Sequence, residues 1–137
     1  AFRTPVAGDR AGAPPRPLAN VSSQGDKSPS NRTWTNAFPG DSDGWFGIAP
    51  VASFSRNDFG LHDLPGNVSE WVEDCWHSSY LRAPSDGSAW VNPGCGRRVV
   101  RGGSWASGPE QVRSAYRLNV AAETTNPRIG FRVARSL

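Results

Sequence analysis

The sequence has no methionine, one lysine, two cysteines and no long apolar run among its 137 residues. A transmembrane helix needs about 20 consecutive apolar residues, so we predict no membrane span. The chain also has no P-loop, G-x-S-x-G, H-E-x-x-H or G-x-G-x-x-G motif. These absences remove the usual sequence signatures of nucleotide binding, serine hydrolysis and zinc proteolysis.

Lysine is almost absent: of the 15 lysine and arginine residues, only Lys27 is a lysine. The planar guanidinium of arginine bonds carboxylates and carbonyls through a fixed fork, whereas a nucleic-acid surface usually mixes in lysine. We therefore expect buried structural arginines and do not expect nucleic-acid binding. A surface that binds anions is the alternative.

The composition predicts a folded domain that is rich in loops. Hydrophobic residues make up 36% of the chain, and glycine and proline contribute 15 and 12 residues. Six tryptophans and six phenylalanines are too many for a solvated tail, which favours an aromatic core. We expect residues 1–33 to form an irregular arm and residues 34–137 to form the domain.

The two cysteines, Cys75 and Cys95, do not form a C-x-x-C pair. We predict a disulfide between them, which would stabilise the fold by about 3 kcal/mol. Such a bond indicates an oxidising compartment, either periplasmic or extracellular. A mixed metal site with His62 and His77 is the alternative, although the spacing is poor for zinc.

Residues 60–74 combine glycines, a proline, carboxylates and a tryptophan, and two interpretations of this stretch compete. In an extended chain the Gly66 and Val68 carbonyls and the Glu70 carboxylate face one way, and Asp63 could close an oxygen site for a hard cation. Alternatively, Asn67 and Glu70 form a helix capping box. The residues alone do not decide between these two structures.

Other segments predict strands at residues 98–101, 111–118 and 129–134, the last two from alternation, and a shorter strand-like piece at residues 49–54. Residues 76–96 are polar and contain turn residues, which predicts a long loop.

Several motifs in order resemble those of the formylglycine-generating enzyme (sulfatase-modifying factor) family. Residues 60–71 (GLHDLPGNVSEW) resemble its long motif G-L-x-[DN]-x-x-G-N-x-x-E-W. The shorter matches are A-P-V at residues 49–51, R-G-G-S-W at 101–105, R-x-A-x-R at 113–117 and I-G-F-R at 129–132. The resemblance covers residues ~43–135.

The resemblance implies an α+β fold of the C-type-lectin-like, formylglycine-generating-enzyme kind, with little regular secondary structure. It also implies structural calcium and an extended backbone in the long motif. Two ligand sets follow from the matched positions. The first is Asp63, the Gly66 and Val68 carbonyls, and Glu70; the second is Asn20, the Val21 carbonyl, Asp43 and the Trp45 carbonyl.

Two departures from the family pattern affect the expected function. The family's enzymes oxidise a substrate cysteine with a copper-binding cysteine pair that follows R-G-G-S, and residues 105–112 contain no cysteine. Because thiolates hold Cu(I), we expect no copper here. The match also covers only the C-terminal portion of such a domain. We therefore expect a protein partner, or a missing N-terminal half, to cover the open side.

We accordingly expect a non-catalytic, calcium-stabilised module that acts as a binding or accessory subunit. Its ligand face would lie on the loops at 76–96 and 105–111, with Trp105, Ser107, Tyr116 and Asn119. One alternative is an enzyme of this fold whose catalytic metal site lies elsewhere or on another chain. The other is a variable ligand-display protein of the C-type-lectin fold.

Overall fold

Regular secondary structure occupies a small part of the chain. The computed structural model describes residues 19–40 and 42–135, so most of the predicted N-terminal arm (residues 1–18) lies outside the described residues. The elements are β1 (Ser69–Cys75), β2 (Arg97–Arg101), the short helix α1 (Pro109–Val112), β3 (Leu118–Ala121) and β4 (Ile129–Gly130). Loops and turns connect them, as the glycine and proline content predicts.

The four strands form one sheet in the order β3-β2-β1-β4. Strand β1 is antiparallel to β2, with Trp71 opposite Val100, and β2 is antiparallel to β3. Strand β4 runs parallel to β1 and places Gly130 opposite Glu70. The sheet therefore brings the carboxyl-terminal motif beside the long central motif.

The buried core is mainly aliphatic. Ala19, Val21, Phe38 and Val112 form one cluster. Val99 and Val100 are consecutive in β2 and both are buried, so side chains on both faces of this strand are covered. The predicted aromatic core is correct for Phe38 and Phe54, but the tryptophans are half-buried or exposed.

The strand predictions hold for β2 and for part of the carboxyl-terminal segment, where β4 covers only residues 129–130. The strand predicted at 111–118 is wrong over most of its length. Pro109 opens the short helix there, since proline suits the first turn of a helix, and strand pairing begins at Leu118. Residues 49–54 form a turn because the Asp63 carboxylate accepts hydrogen bonds from two of their backbone N–H groups.

The long motif becomes extended only at its carboxyl-terminal end, and before it the backbone turns with positive φ at Asp63, Gly66 and Asn67. Strand β1 begins at Ser69, and Asn67 has a φ of 57°, so it does not cap a helix. The capping-box interpretation is therefore wrong.

The predicted disulfide is confirmed: Cys75 and Cys95 are bonded, with their Cα atoms 5.9 Å apart. The bond closes the base of the loop at residues 76–96. Among the described residues, no helix combines the length and the apolar character that crossing a membrane requires.

Candidate functional site

The central turn at Gly66 and Asn67 is the point where three segments meet. The Asn67 N–H donates to the Asn20 carbonyl at 2.7 Å, and the Gly66 N–H donates to the Gly102 carbonyl at 2.9 Å. The Trp105 N–H donates to the Asn67 carbonyl at 2.8 Å. The long motif therefore positions both the R-G-G-S-W segment and the segment that contains Asn20.

Gly66 is required at this meeting point because the chains approach too closely for a side chain. Its φ is +83°, and a Cβ there would lie 2.1 Å from the Asn20 carbonyl oxygen. Glycine alone accepts this conformation without strain and leaves the space empty.

The Asn67 side chain joins the segments at Asn20 and Ala49, which sequence reasoning missed. Its Oδ1 accepts from the Ala49 N–H at 3.0 Å and from Asn20 Nδ2 at 3.2 Å, and its Nδ2 donates to the Ala49 carbonyl at 3.2 Å. The residue is 5% exposed. An asparagine that follows a glycine, where positive φ is tolerated, is the signal that could have suggested this turn role.

In the first predicted calcium set, the two carboxylates already have partners. Asp63 accepts from the Ala52 N–H at 2.5 Å and from the Phe54 N–H at 3.1 Å. Both Glu70 oxygens accept from Arg132 Nε, at 2.8 and 2.7 Å. As arranged, this set fits an internal guanidinium, and a calcium ion would require Arg132 to move away. Calcium at this set stays a prediction.

In the second predicted set, the residues lie together and leave one buried acceptor unpaired. Asp43 accepts from the Val21 N–H at 2.9 Å through Oδ2 and from the Trp45 N–H at 2.9 Å through Oδ1. Asn20 is fully buried, and its Oδ1 has no hydrogen-bond partner among the described residues. A buried amide oxygen without a partner costs free energy, and a hard cation would satisfy it. The unpaired oxygen favours calcium at this set, which also stays a prediction.

The four residues of the predicted ligand face are not equivalent. Ser107 is buried, and its hydroxyl oxygen accepts from the Ser104 N–H at 3.0 Å, so it belongs to the packing of the turn. Asn119 lies on β3 and bonds the Arg97 guanidinium. Tyr116 is half-buried in the loop before β3.

Trp105 belongs to an aromatic cluster with Trp34 and Phe46. Trp34 and Phe46 are stacked with their ring centroids 4.9 Å apart, and Trp105 tilts against Trp34 at 5.7 Å. The Nε1–H groups of Trp34 and Trp105 are buried without a described partner. The Arg128 guanidinium lies 5.4 Å from the Trp105 ring centroid. Trp105 is therefore the residue of the predicted face that packs in an aromatic cluster.

Neither histidine belongs to a transition-metal centre in the described part of the chain, where no group of three histidine, cysteine or acidic side chains could hold a metal. His62 Nδ1 bonds the Phe54 carbonyl at 2.8 Å. His77 stacks on Trp90 at 3.6 Å and bonds Asn92 at 2.9 Å. The two cysteines therefore form the disulfide, and the two histidines make local contacts, so these residues do not form the mixed metal site.

Several arginines make structural contacts, but none of the described arginines is buried as their abundance predicted. Arg117 lies between the rings of Trp76 and Tyr80, at 4.7 and 4.1 Å, and donates to the His77 carbonyl at 3.0 Å. Arg101 donates to the Tyr80 hydroxyl at 2.8 Å. These contacts hold the loop at residues 76–96, which the disulfide closes, against β2 and the start of β3. The sequence patterns did not reveal them.

The loop-rich sheet, the turn at Gly66 and the joined R-G-G-S-W segment define a domain of the formylglycine-generating-enzyme fold class. The sulfatase-modifying factor enzyme 1-like domain matches residues 15–137. The chain belongs to this family, which confirms the resemblance and the fold class.

Named relatives and solved structures agree with this assignment. The chain is 36% identical over 121 residues to an inactive C-alpha-formylglycine-generating enzyme 2 of Bos taurus, covering 80% of the chain and 36% of the relative. It is 35% identical over 107 residues to a formylglycine-generating enzyme of Thermomonospora curvata, covering 68% of the chain and 32% of the relative. It thus spans about a third of their length.

Among solved structures, PvdO from Pseudomonas aeruginosa matches with a TM-score of 0.64 and 41% identity, covering 77% of this chain and 42% of that one. Treponema denticola variable protein 1 matches with a TM-score of 0.52 and 28% identity, covering 70% of this chain and 34% of that one.

Proposed function

We propose that the chain is a non-catalytic, calcium-stabilised module of this family that acts as a binding or accessory subunit of a larger assembly. The observation that carries the proposal is the segment after R-G-G-S. It has no thiol, Ser107 is bonded within its own turn, and Val112 packs in the core cluster. Copper-dependent oxidation of a cysteine needs thiolate ligands, which this segment does not supply. A relative named inactive supports the same conclusion.

Metal analysis and oxygen uptake test the absence of catalysis. We expect the purified chain, incubated with copper or ferrous iron and a cysteine-containing peptide, to retain no stoichiometric transition metal and to consume no oxygen. Stoichiometric copper or iron together with oxygen uptake would instead support the alternative, an oxidoreductase whose metal site lies elsewhere.

The calcium part of the proposal rests on the unpaired Asn20 oxygen and on the neighbouring Asp43 carboxylate. Calcium at 100 times its Kd would stabilise the fold by about 2.7 kcal/mol, which a chelator would remove. Asp43→Asn lowers the negative charge of the set, so we expect this variant to lose the change in Tm on chelation. Thermal unfolding with and without chelator measures the effect.

Asp86→Asn is the matched control for that experiment. Asp86 Oδ1 accepts from the Ser88 N–H at 2.9 Å, two residues on, as Asp43 does from Trp45, but it lies in the loop closed by the disulfide. This variant should keep the response to chelator. A wild-type chain whose Tm does not change with chelator would contradict the calcium proposal.

The need for a partner is supported by the sheet edge. Strand β4 pairs with β1 on one side only, and the adjacent Phe131 and Val133 are 76% and 87% exposed. We propose that the remaining part of the family domain, or a separate protein, covers this edge. Amide exchange at residues 129–133 should be slower when that part or that protein is bound than in the chain alone, and equal rates with and without it would contradict this.

The disulfide supports a periplasmic or extracellular location, because such bonds persist in oxidising compartments. Reduced Cys75 and Cys95 in protein alkylated directly from its native source would contradict it.

Variable ligand display is the second candidate, and the similarity to the Treponema denticola variable protein favours it. Sibling gene copies that differ mainly between residues 105 and 128 would support this function, and uniform copies would exclude it.

A further inference from the structure

Arg132 reaches Glu70 because of the register of β4. Gly130 lies opposite Glu70 in the parallel pair, and a Cβ on Gly130 would come 2.9 Å from Val68 Cγ2. The glycine therefore lets the carboxyl-terminal segment lie close to the central motif. The side chain of Arg132, two residues later, contacts the Glu70 carboxylate.

All three guanidinium nitrogens of Arg132 are used at this point. Nε bonds both Glu70 oxygens, and Nη2 bonds Oε1 as well. Nη1 and Nη2 both donate to the His62 carbonyl at 3.2 Å. A carboxylate and a backbone carbonyl thus converge on one cation, and these are the ligand types that calcium takes in proteins.

The charges agree with the geometry. Arg132 and Glu70 carry opposite charges and form an ion pair. The Glu70 side chain is 16% exposed, so a cation beside it is only partly screened by solvent.

We propose that Arg132 is the resident cation of the central turn and that it takes the place of a calcium ion at Glu70. The guanidinium neutralises Glu70, holds the loop through the His62 carbonyl and attaches the carboxyl-terminal segment to β1. The turn is then complete without metal, and any calcium that the chain binds lies at the set that contains Asn20 and Asp43. Only this last statement rests on the proposed function.

Calcium stoichiometry, measured by titration calorimetry on folded variants, tests this inference. Glu70→Gln should bind as many ions as the wild type. Arg132→Gln should bind one ion more, because it leaves the Glu70 carboxylate without its cation. Arg132→Gln combined with Glu70→Gln should lose that additional ion. In calcium-free buffer, Arg132→Gln should lower the Tm by roughly 3–8 °C, and calcium should restore it.

Arg113→Gln is the matched control, since Arg113 pairs with Glu110 at 3.2 Å on an exposed surface and loses the same charge. It should change neither the stoichiometry nor the Tm. The inference is overturned if Glu70→Gln removes an ion from the wild-type chain, or if folded Arg132→Gln gains none. If Arg132→Gln does not fold, the number of ions that Glu70→Gln binds, compared with the wild type, still tests the inference. A wild type that binds no calcium would contradict the proposed calcium site but not this inference, because the inference concerns only the difference between each variant and the wild type.

Discussion

Replacing Gly66 by alanine is expected to destabilise the chain by about 3–5 kcal/mol, a large part of the stability of a small domain. The new Cβ would lie 2.1 Å from the Asn20 carbonyl oxygen, and that oxygen is fixed because it accepts from the Asn67 N–H at 2.7 Å. The positive φ adds backbone strain. Urea denaturation followed by tryptophan fluorescence measures the loss.

Gly60→Ala separates the two causes of that loss. Gly60 has a φ of +76°, but a Cβ there meets nothing within 4 Å. This variant pays only the conformational strain, which we expect to be about 1 kcal/mol. If the two variants lose the same free energy of unfolding, the close approach at Gly66 does not exist.

The same contact connects stability with the proposed function. Asn20 contributes its backbone carbonyl to the turn at Gly66 and its unpaired side-chain oxygen to the second calcium set. A shift of the Asn20 backbone would therefore disturb both. The central turn thus holds the backbone of the second calcium set in place without contributing a ligand to it. The nearby Glu70 carboxylate is bonded to Arg132.

The sequence predicts those features that local chemistry determines. Strand β2 follows from a short strand-like run that ends at two glycines, and the loop at 76–96 follows from turn residues. The disulfide follows from having two cysteines without a metal-binding spacing. The choice between helix and strand at residues 67–70 needed the family motif, because Asn67 and Glu70 satisfy both patterns.

Contacts between distant residues could not be predicted in this way. Arg132 and Glu70 are 62 positions apart, and nothing in either local pattern indicates that β4 lies parallel to β1. The failure at residues 111–118 has the same origin. Alternation there suggested a strand, but Val112 packs into the core from a short helix that begins at Pro109.

Removing the disulfide is the second change expected to have a large effect. The bond closes a loop of 20 positions and attaches it to buried Cys75 in β1. Changing both Cys75 and Cys95 to alanine should lower the free energy of unfolding by about 3 kcal/mol, because the unfolded chain regains the entropy of the open loop. Alanine avoids placing an unpaired hydroxyl at a buried position. Thermal unfolding and urea denaturation measure the change.

Reductant provides the control, since it should destabilise the wild type and leave the double alanine variant unchanged. Other contacts at the base of the loop remain in the variant: the Trp90 N–H donates to Asp74 at 3.1 Å, and His77 stacks on Trp90. We therefore expect the variant to fold and the loop to keep its local contacts. If maleimide labels both cysteines in unfolded wild-type protein without reductant, the bond is absent and its proposed contribution to stability is wrong.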